Sequence, residues 1–483
     1  MTNMSKTQLE ALNESTSQAP VVSVRNVRVT AKDDIVDPIS FDVFLGRPLT
    51  ILGETGSGKS LISQAIMGNL PEGLTSTGSI LINGVEVLTL PAKQREAMWG
   101  HDISILPQEP WHALDPTMTA LPQVAETYQY VKGQTPEKSR ENARVDLDAL
   151  GLKNSDHDKL PMQLSGGMAQ RAVFAAAKAG GAPIVIVDEP TKGLDASRRD
   201  EMVAMLKASV EAGGALLTIT HDIAVARQLG GYIMVMRKGK LLEEGPAEDI
   251  LANPQSDYAK ALIASDPQNW AKPSHKDGKR DTRVVLTATN ICVQRGERVL
   301  VKDFDLTVHA GEIIGITGDS GCGKSSLGDV LLGVLPTPTG KIQRAHGVAP
   351  HRYVKLFQDP PTAFCRHWTI GTLLDDLVKL HGLDASRIPP LMEKLSLTPD
   401  LLERGADGIS GGELQRFSIL RALLLDPVYM FADEPTSRLD PVTQREIMEL
   451  LVSVARETGC ALLLVSHDKA LVNHTCDRQI ALQ

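Results

Sequence analysis

Two glycine-rich runs have the spacing to hold phosphate. GETGSGKS occupies 53–60 and GDSGCGKS occupies 318–325. In a G-x-x-x-x-G-K-S run the glycines let backbone N–H groups curl around phosphate oxygens, and the helix that follows adds its positive N-terminal end. The first candidate cradle comprises Gly53, Glu54, Thr55, Gly56, Ser57, Gly58, Lys59, Ser60 and Leu61. The second comprises Gly318, Asp319, Ser320, Gly321, Cys322, Gly323, Lys324, Ser325 and Ser326. Lys59 and Lys324 are expected to reach the β- and γ-phosphates, and Ser60 and Ser325 to ligate Mg²⁺. A plain turn between strand and helix would account for one such run. It does not account for two, each followed by an Asp-Glu pair in the same context.

Those acid pairs are Asp188-Glu189 and Asp433-Glu434. Asp188 and Asp433 end β-rich runs, where a carboxylate can hold the Mg²⁺ shell. Glu189 and Glu434 are then placed to act as general bases on a water in line with the γ-phosphate. His221 and His467 end the next apolar run in each half and are expected to contact the γ-phosphate. A lone histidine is more often structural, but these two hold the same place in two copies. Gln108 and Gln358 each follow a short apolar run, and Pro110 and Pro360 lie two residues on; a polar turn is their bland explanation.

The elements that must position these groups come from one internal duplication. LSGGMAQR at 164–171 recurs as ISGGELQR at 409–416, VDEPTKGLD at 187–195 as ADEPTSRLD at 432–440, and TITHD at 218–222 as LVSHD at 464–468. The order is unchanged, and the second copy is shorter between its glycine loop and its SGG. Continuous β-rich runs at 49–52, 184–187, 216–220, 313–316 and 462–466 indicate buried parallel strands of a doubly wound α/β core. The expected organisation is a disordered segment at 1–20, a first domain at 21–265, a linker at 266–283 and a second domain at 284–483. The linker is polar, carries Pro267 and Pro273, and shows no apolar periodicity. A short helix within 253–267 is expected to finish the first domain.

Composition narrows the function classes. The chain has 483 residues, 42% apolar and 23% charged, with a formal net charge of −9, which argues against a nucleic-acid backbone as partner. Its five cysteines all lie in the second half without a C-x-x-C pair, as expected in a reducing cytoplasm and in neither a disulfide framework nor a zinc site. No apolar run reaches the roughly 18 residues that span a bilayer, and the polar N-terminus lacks a signal-peptide core.

The order glycine loop, glutamine, S-G-G-x-x-Q, D-E-P-T, L-D and H-D resembles the ATP-binding cassette family over nearly the whole chain. The resemblance implies two P-loop cassettes, each a mainly parallel sheet core with a helical signature subdomain, that close head to tail around two ATP with Mg²⁺. It implies that Ser165, Gly166 and Gly167 complete the second site and Ser410, Gly411 and Gly412 the first. Gln108 and Gln358 then match the glutamine loop, which links Mg²⁺ and γ-phosphate to a membrane partner.

ALDPTMT at 113–119, NPQSDYAKALIASDP at 253–267, SGGM and SGGELQRF are similar to the paired ATPases of peptide and nickel importers. That narrower resemblance implies one chain supplying both cassettes at the cytoplasmic face of the inner membrane. Its partners would be two integral-membrane permease subunits, a heterodimer, and an extracytoplasmic substrate-binding protein. No cysteine precedes Cys292, so the cysteine cluster of some such tails is absent, and the chain ends soon after His467.

The position where the family usually places an aromatic for adenine holds Thr30, beside Ala31, in the first half and Arg295 in the second. Arg295 is expected to lie flat on the base. Permease docking is expected near 111–119 and 362–369, around Trp111, Met118, Phe364 and Trp368, although Phe364 also suits a core position. Cys322, inside a phosphate loop, is expected to react with maleimide and to be shielded by ATP. A soluble tandem cassette acting on ribosomes is the main alternative. Members of that class carry a long charged helical linker, which 266–283 is not. A fused sugar-importer ATPase is the other alternative, but its cassettes commonly diverge in their motifs, and both copies here keep the full set.

Overall fold

Continuous apolar runs become the centre of each half and alternating runs its flank. The computed structural model describes residues 19–108, 113–191, 196–270, 282–319, 321–437 and 439–482. Most of the expected disordered segment, residues 1–18, lies outside the described residues, as does 271–281 of the expected linker. The chain divides into two units, Met1–Ile263 and Ala264–Gln483.

The first unit contains β1 (Val22–Thr30), β2 (Asp34–Val43), β3 (Leu49–Gly53), β4 (Thr75–Ile82), β5 (Val85–Glu86), β6 (Ile103–Leu106), β7 (Ile184–Asp188), β8 (Ala215–Thr220), β9 (Tyr232–Arg237) and β10 (Lys240–Pro246). A six-stranded sheet runs β10-β9-β3-β8-β7-β6. It is parallel apart from the β9–β10 hairpin. Every residue of β3, β7 and β8 is buried, as helices on both faces of a parallel sheet require. A separate antiparallel sheet, β2-β1-β4-β5, was not expected from the sequence. Its strands bury one face only, so β2 alternates exposed and buried side chains.

Helices Ala120–Tyr130, Pro136–Ala149 and Gly166–Ala179 gather around their own small core of Leu121, Val124, Leu147, Leu152, Ala172 and Ala175. This is the helical subdomain. Thr135 caps the second of these helices, accepting Lys138 N–H at 3.4 Å, and Pro136 fits its first turn.

The second unit contains β11 (Val284–Arg295), β12 (Arg298–His309), β13 (Ile313–Thr317), β14 (Lys341–Arg344), β15 (Tyr353–Leu356), β16 (Tyr429–Asp433), β17 (Ala461–Val465) and β18 (Arg478–Ala481). The sheet β15-β16-β17-β13-β18 is wholly parallel, and β12-β11-β14 is antiparallel. Its helical part is shorter, built on Ile370–His381, Ile388–Lys394 and Gly411–Leu424. Most of the shortening lies earlier, because Gln108 follows Lys59 by 49 residues and Gln358 follows Lys324 by 34.

The boundary departs slightly from the sequence reading. Residues 264–270 belong with the second unit. Arg445 Nη1 donates to Ala264 O at 3.0 Å, and Trp270 packs on the second unit's core while its indole N–H donates to Ser265 O at 3.0 Å. The helix expected within 253–267 is Asp257–Ala264. Among the described residues no helix is long and apolar enough to cross a membrane.

Candidate functional site

Each glycine loop leaves the end of a central strand, β3 or β13, and enters a helix, Lys59–Met67 or Lys324–Leu331. Gly58 has φ 86° with its Cα against Val36, where a Cβ would stand 2.7 Å from that side chain; the turn has room for glycine alone. Gly56 and Gly321 also have positive φ and face open space. Lys59 Nζ folds back to donate to Gly53 O at 2.8 Å and Glu54 O at 2.7 Å. Lys324 Nζ repeats the pattern with Gly318 O and Asp319 O, both at 2.8 Å. The ammonium therefore sits at the centre of the loop in both copies. Ser57 O accepts Gly239 N–H at 3.1 Å, and Glu54 Oε2 lies 3.4 Å from Arg237 Nε, which ties the first loop to the β9–β10 hairpin. Thr55 is exposed, and Leu61 packs on the first unit's core. Cys322 is partly buried, its N–H donating to Asp319 O at 3.3 Å, and Ser320 lies outside the described residues.

The acids come from the neighbouring strands. Asp188 ends β7 and Asp433 ends β16, and both are buried. The next residues, Glu189 and Glu434, turn sharply with φ 49° and 47°. Non-glycine residues hold such angles at a cost of about 1–3 kcal/mol, so the surroundings must fix them. Here backbone bonds do so: Glu189 N–H to Ile219 O at 2.8 Å and Glu434 N–H to Val465 O at 3.1 Å. The turn aims each carboxylate at the histidine that follows the next strand. His221 Nδ1 meets Glu189 Oε1 at 2.8 Å, and His467 Nε2 meets Glu434 Oε1 at 2.6 Å. Burial opposes the Glu189 charge, but the His221 charge and hydrogen bond, with Lys59, outweigh it and hold this carboxyl below its ordinary range. Burial likewise opposes the His221 charge, and Glu189 outweighs it, raising the imidazole.

Ser325 Oγ donates to Asp433 Oδ1 at 3.0 Å, and Gln358 Nε2 donates to Glu434 Oε2 at 2.9 Å. Two hydrogen-bonded pairs, Ser325–Asp433 and Gln358–Glu434, therefore lie on the adjacent residues Asp433 and Glu434. Burial is the chief influence on the Asp433 carboxyl and raises it, against Ser325 and Lys355. In the first unit Ser60 is the second residue of its helix, and Gln108 lies just past β6, half-buried, with 109–112 outside the described residues.

Ser165 and Ser410 are N-caps of 14-residue helices, Gly166–Ala179 and Gly411–Leu424. Ser165 Oγ accepts Met168 N–H at 3.4 Å. Ser410 closes a capping box with Glu413, whose Oε2 accepts Ser410 N–H at 3.0 Å and its hydroxyl at 2.6 Å. Gly166 and Gly411 face open space, whereas a Cβ on Gly167 or Gly412 would press within 3.1 Å of Arg198 or 3.2 Å of Thr443.

The donor chemistry suits ATP with Mg²⁺. In the second unit the paired oxygens of Ser325 and Asp433 are hard ligands of the kind Mg²⁺ takes, and an ammonium occupies each loop where phosphate oxygens would take over its hydrogen bonds. Among the described residues no three His, Cys, Asp or Glu side chains gather as a metal cage.

Several side chains were not singled out from the sequence. Lys355 on β15 lies 2.6 Å from Asp329 and 3.9 Å from Asp433; its charge within the apolar run YVKL was the available signal. Arg421 donates to Ala363 O at 2.6 Å and stacks 5.0 Å from the Phe364 ring, which leaves Phe364 in its own unit's core. Trp368 is exposed, Met118 is half-buried, and Trp111 lies outside the described residues. Arg295 ends β11 with its Nε on Ser326 Oγ at 3.2 Å and more than half of its side chain exposed. Thr30 hydrogen-bonds Thr75 at 3.0 Å.

A family model described as ABC transporter matches residues 36–192 and again 301–437. The chain belongs to the ABC transporter family. It is a tandem ABC ATPase, with one cassette in each unit. A peptidoglycan transport ATP-binding protein of Agrobacterium fabrum is 31% identical over 95% of this chain and 91% of its own length. A glutathione import ATP-binding protein of Escherichia coli K12 is 30% identical over 95% of this chain and 84% of its own length. An archaeal ribosome recycling factor, solved with a ribosomal stalk protein, shares the tandem fold at TM-score 0.66 and 20% identity, covering 92% of this chain and 84% of that one.

Proposed function

We propose that this ABC ATPase powers binding-protein-dependent import of a peptide-like or nickel-chelate substrate, with two competent ATP sites. Two separate permease subunits, a heterodimer, would carry the substrate across the inner membrane, and an extracytoplasmic binding protein would deliver it. The chain would work at the cytoplasmic face. The observation that carries two competent sites is the carboxylate–histidine contact present in both cassettes, at 2.8 Å and 2.6 Å.

In each site the lysine, Lys59 or Lys324, leaves its loop carbonyls for the β- and γ-phosphates. Glu189 or Glu434 orients a water and takes its proton as the water oxygen attacks the γ-phosphorus and ADP departs with the bridging oxygen. His221 or His467 holds the carboxylate in place and donates toward the γ-phosphate. Ser60, Asp188 and Gln108, or Ser325, Asp433 and Gln358, are the residues that would hold Mg²⁺, which offsets phosphate charge when bound. The capped helix starts at Ser165 to Gly167 and Ser410 to Gly412 would each receive the γ-phosphate carried by the opposite cassette.

The import direction draws support from the glutathione import relative of Escherichia coli, and the transport role from the peptidoglycan transport relative of Agrobacterium fabrum. The likeness to the ribosome recycling factor is one of fold alone and favours no ribosomal role. Co-expression with candidate permeases, followed by ATPase assay in proteoliposomes, tests the reading. Stimulation by the binding protein loaded with its ligand is expected. ATPase indifferent to every permease, together with co-sedimentation of the chain with ribosomes, would overturn it.

A further inference from the structure

The two cassettes differ beside the metal carboxylates. Three residues before Gln358 stands Lys355, and three before Gln108 stands Ile105. Five residues after Lys324 stands Asp329, and five after Lys59 stands Gln64. Both differences fall on one spot. Lys355 Nζ donates to Asp329 Oδ1 at 2.6 Å and lies 3.9 Å from Asp433 Oδ2, while Ser325 holds the other oxygen of Asp433 at 3.0 Å. The three side chains are only 17%, 14% and 8% exposed, so water screens them weakly. Arg295 Nη2 lies 3.7 Å from the far oxygen of Asp329. The rings of Phe357 and Phe431 stand 5.3 and 5.7 Å from the ammonium and limit where it can go. The first cassette puts an apolar and a neutral side chain at these positions.

We propose that Lys355, steered by Asp329, is a positioning residue that makes the second nucleotide site bind its divalent cation more weakly than the first. A fixed ammonium beside Asp433 offsets part of that carboxylate's field and repels an incoming cation. Asp329 limits the effect, because it holds the ammonium closer to itself than to Asp433. Taking Lys355 away strengthens the metal site. Taking Asp329 away frees Lys355 to close on Asp433 and weakens it. A merely structural pair would not give opposite signs. The inference rests on Ser325 and Asp433 being metal oxygens.

The test titrates Mn²⁺ into the full chain with a non-hydrolysable ATP analogue and reads free Mn²⁺ by electron paramagnetic resonance. The wild type should show two affinity classes about tenfold apart. Lys355→Ile should bring the weaker class to within about threefold of the tighter, as should Lys355→Ile with Asp329→Gln, which reproduces the first cassette at both positions. Asp329→Gln alone should widen the gap. Thermal melts establish that each variant is folded. A single class in the wild type, a gap that Lys355→Ile and the double variant leave unchanged, or equal signs for the two single variants would overturn the proposal. Asp433→Asn is the separate control: it should remove the weaker class, and if both classes survive, the metal role of Asp433 fails whatever Lys355 does.

Discussion

Gln358 donates its amide to Glu434 at 2.9 Å, so the segment that follows β15 is tied directly to the candidate base of the second site. The bond holds one carboxylate oxygen while His467 holds the other at 2.6 Å. Gln358→Ala should lower turnover about tenfold, the worth of one positioning hydrogen bond. Gln358→Glu should lower it further, because two carboxylates at that separation cannot both stay ionised without penalty. Steady-state ATPase assays on the two variants check this, and equal rates for both would contradict the electrostatic part.

Glu189→Gln and Glu434→Gln test whether each site hydrolyses ATP. Removing a base or water-orienting group lowers the rate at its site by about 10²–10⁴. Independent sites would leave each variant with about half the turnover; sites coupled through closure and reopening would leave almost none. Either result fits two working sites. A variant that keeps the wild-type rate would mark an idle site.

Glu312 predicts a pH-dependent contribution to stability. Its Oε1 accepts Arg478 Nε at 2.7 Å and its Oε2 accepts His309 N–H at 2.9 Å, joining the end of β12 to β18 beside the strand that leads to the second loop. Burial opposes its charge, but Arg478 and the His309 N–H outweigh burial and hold the carboxyl below the ordinary value of 4.5. A carboxyl lowered on folding stabilises above its ordinary value and loses that contribution as pH falls through the folded value. Glu312→Gln should therefore destabilise by about 1 kcal/mol at pH 7, since the pair is partly exposed, and by progressively less as pH drops below 4.5. Urea melts at several pH values measure it; a difference that does not shrink in acid would refute the assignment.

Thiol reactivity should follow burial. Burial pushes the Cys460 and Cys476 thiols up to about 12, so neither supplies thiolate near neutrality. Cys365 is exposed and Cys322 partly so. Maleimide with peptide mass mapping should modify Cys365 first, Cys322 more slowly and less with ATP present, and Cys460 and Cys476 only after denaturation. Native labelling of Cys460, or Cys322 labelling indifferent to ATP, would count against these placements.

The sequence alone determined the duplication and the parallel cores, and it marked the candidate site residues. Glycine loops, acids at strand ends and fully apolar strands are dictated locally, by backbone freedom and by burial on both faces, so their pattern survives in one dimension. Tertiary structure decided the rest. The flanking antiparallel sheets form because β1 meets β4, and β11 meets β14, across long stretches of chain. The left-handed turns at Glu189 and Glu434 exist only because β8 and β17 accept their backbone N–H groups. The Lys355–Asp329–Asp433 cluster joins residues from three distant segments. Its inequality between the cassettes is invisible to motifs that match, because charges interact through space and not along the chain.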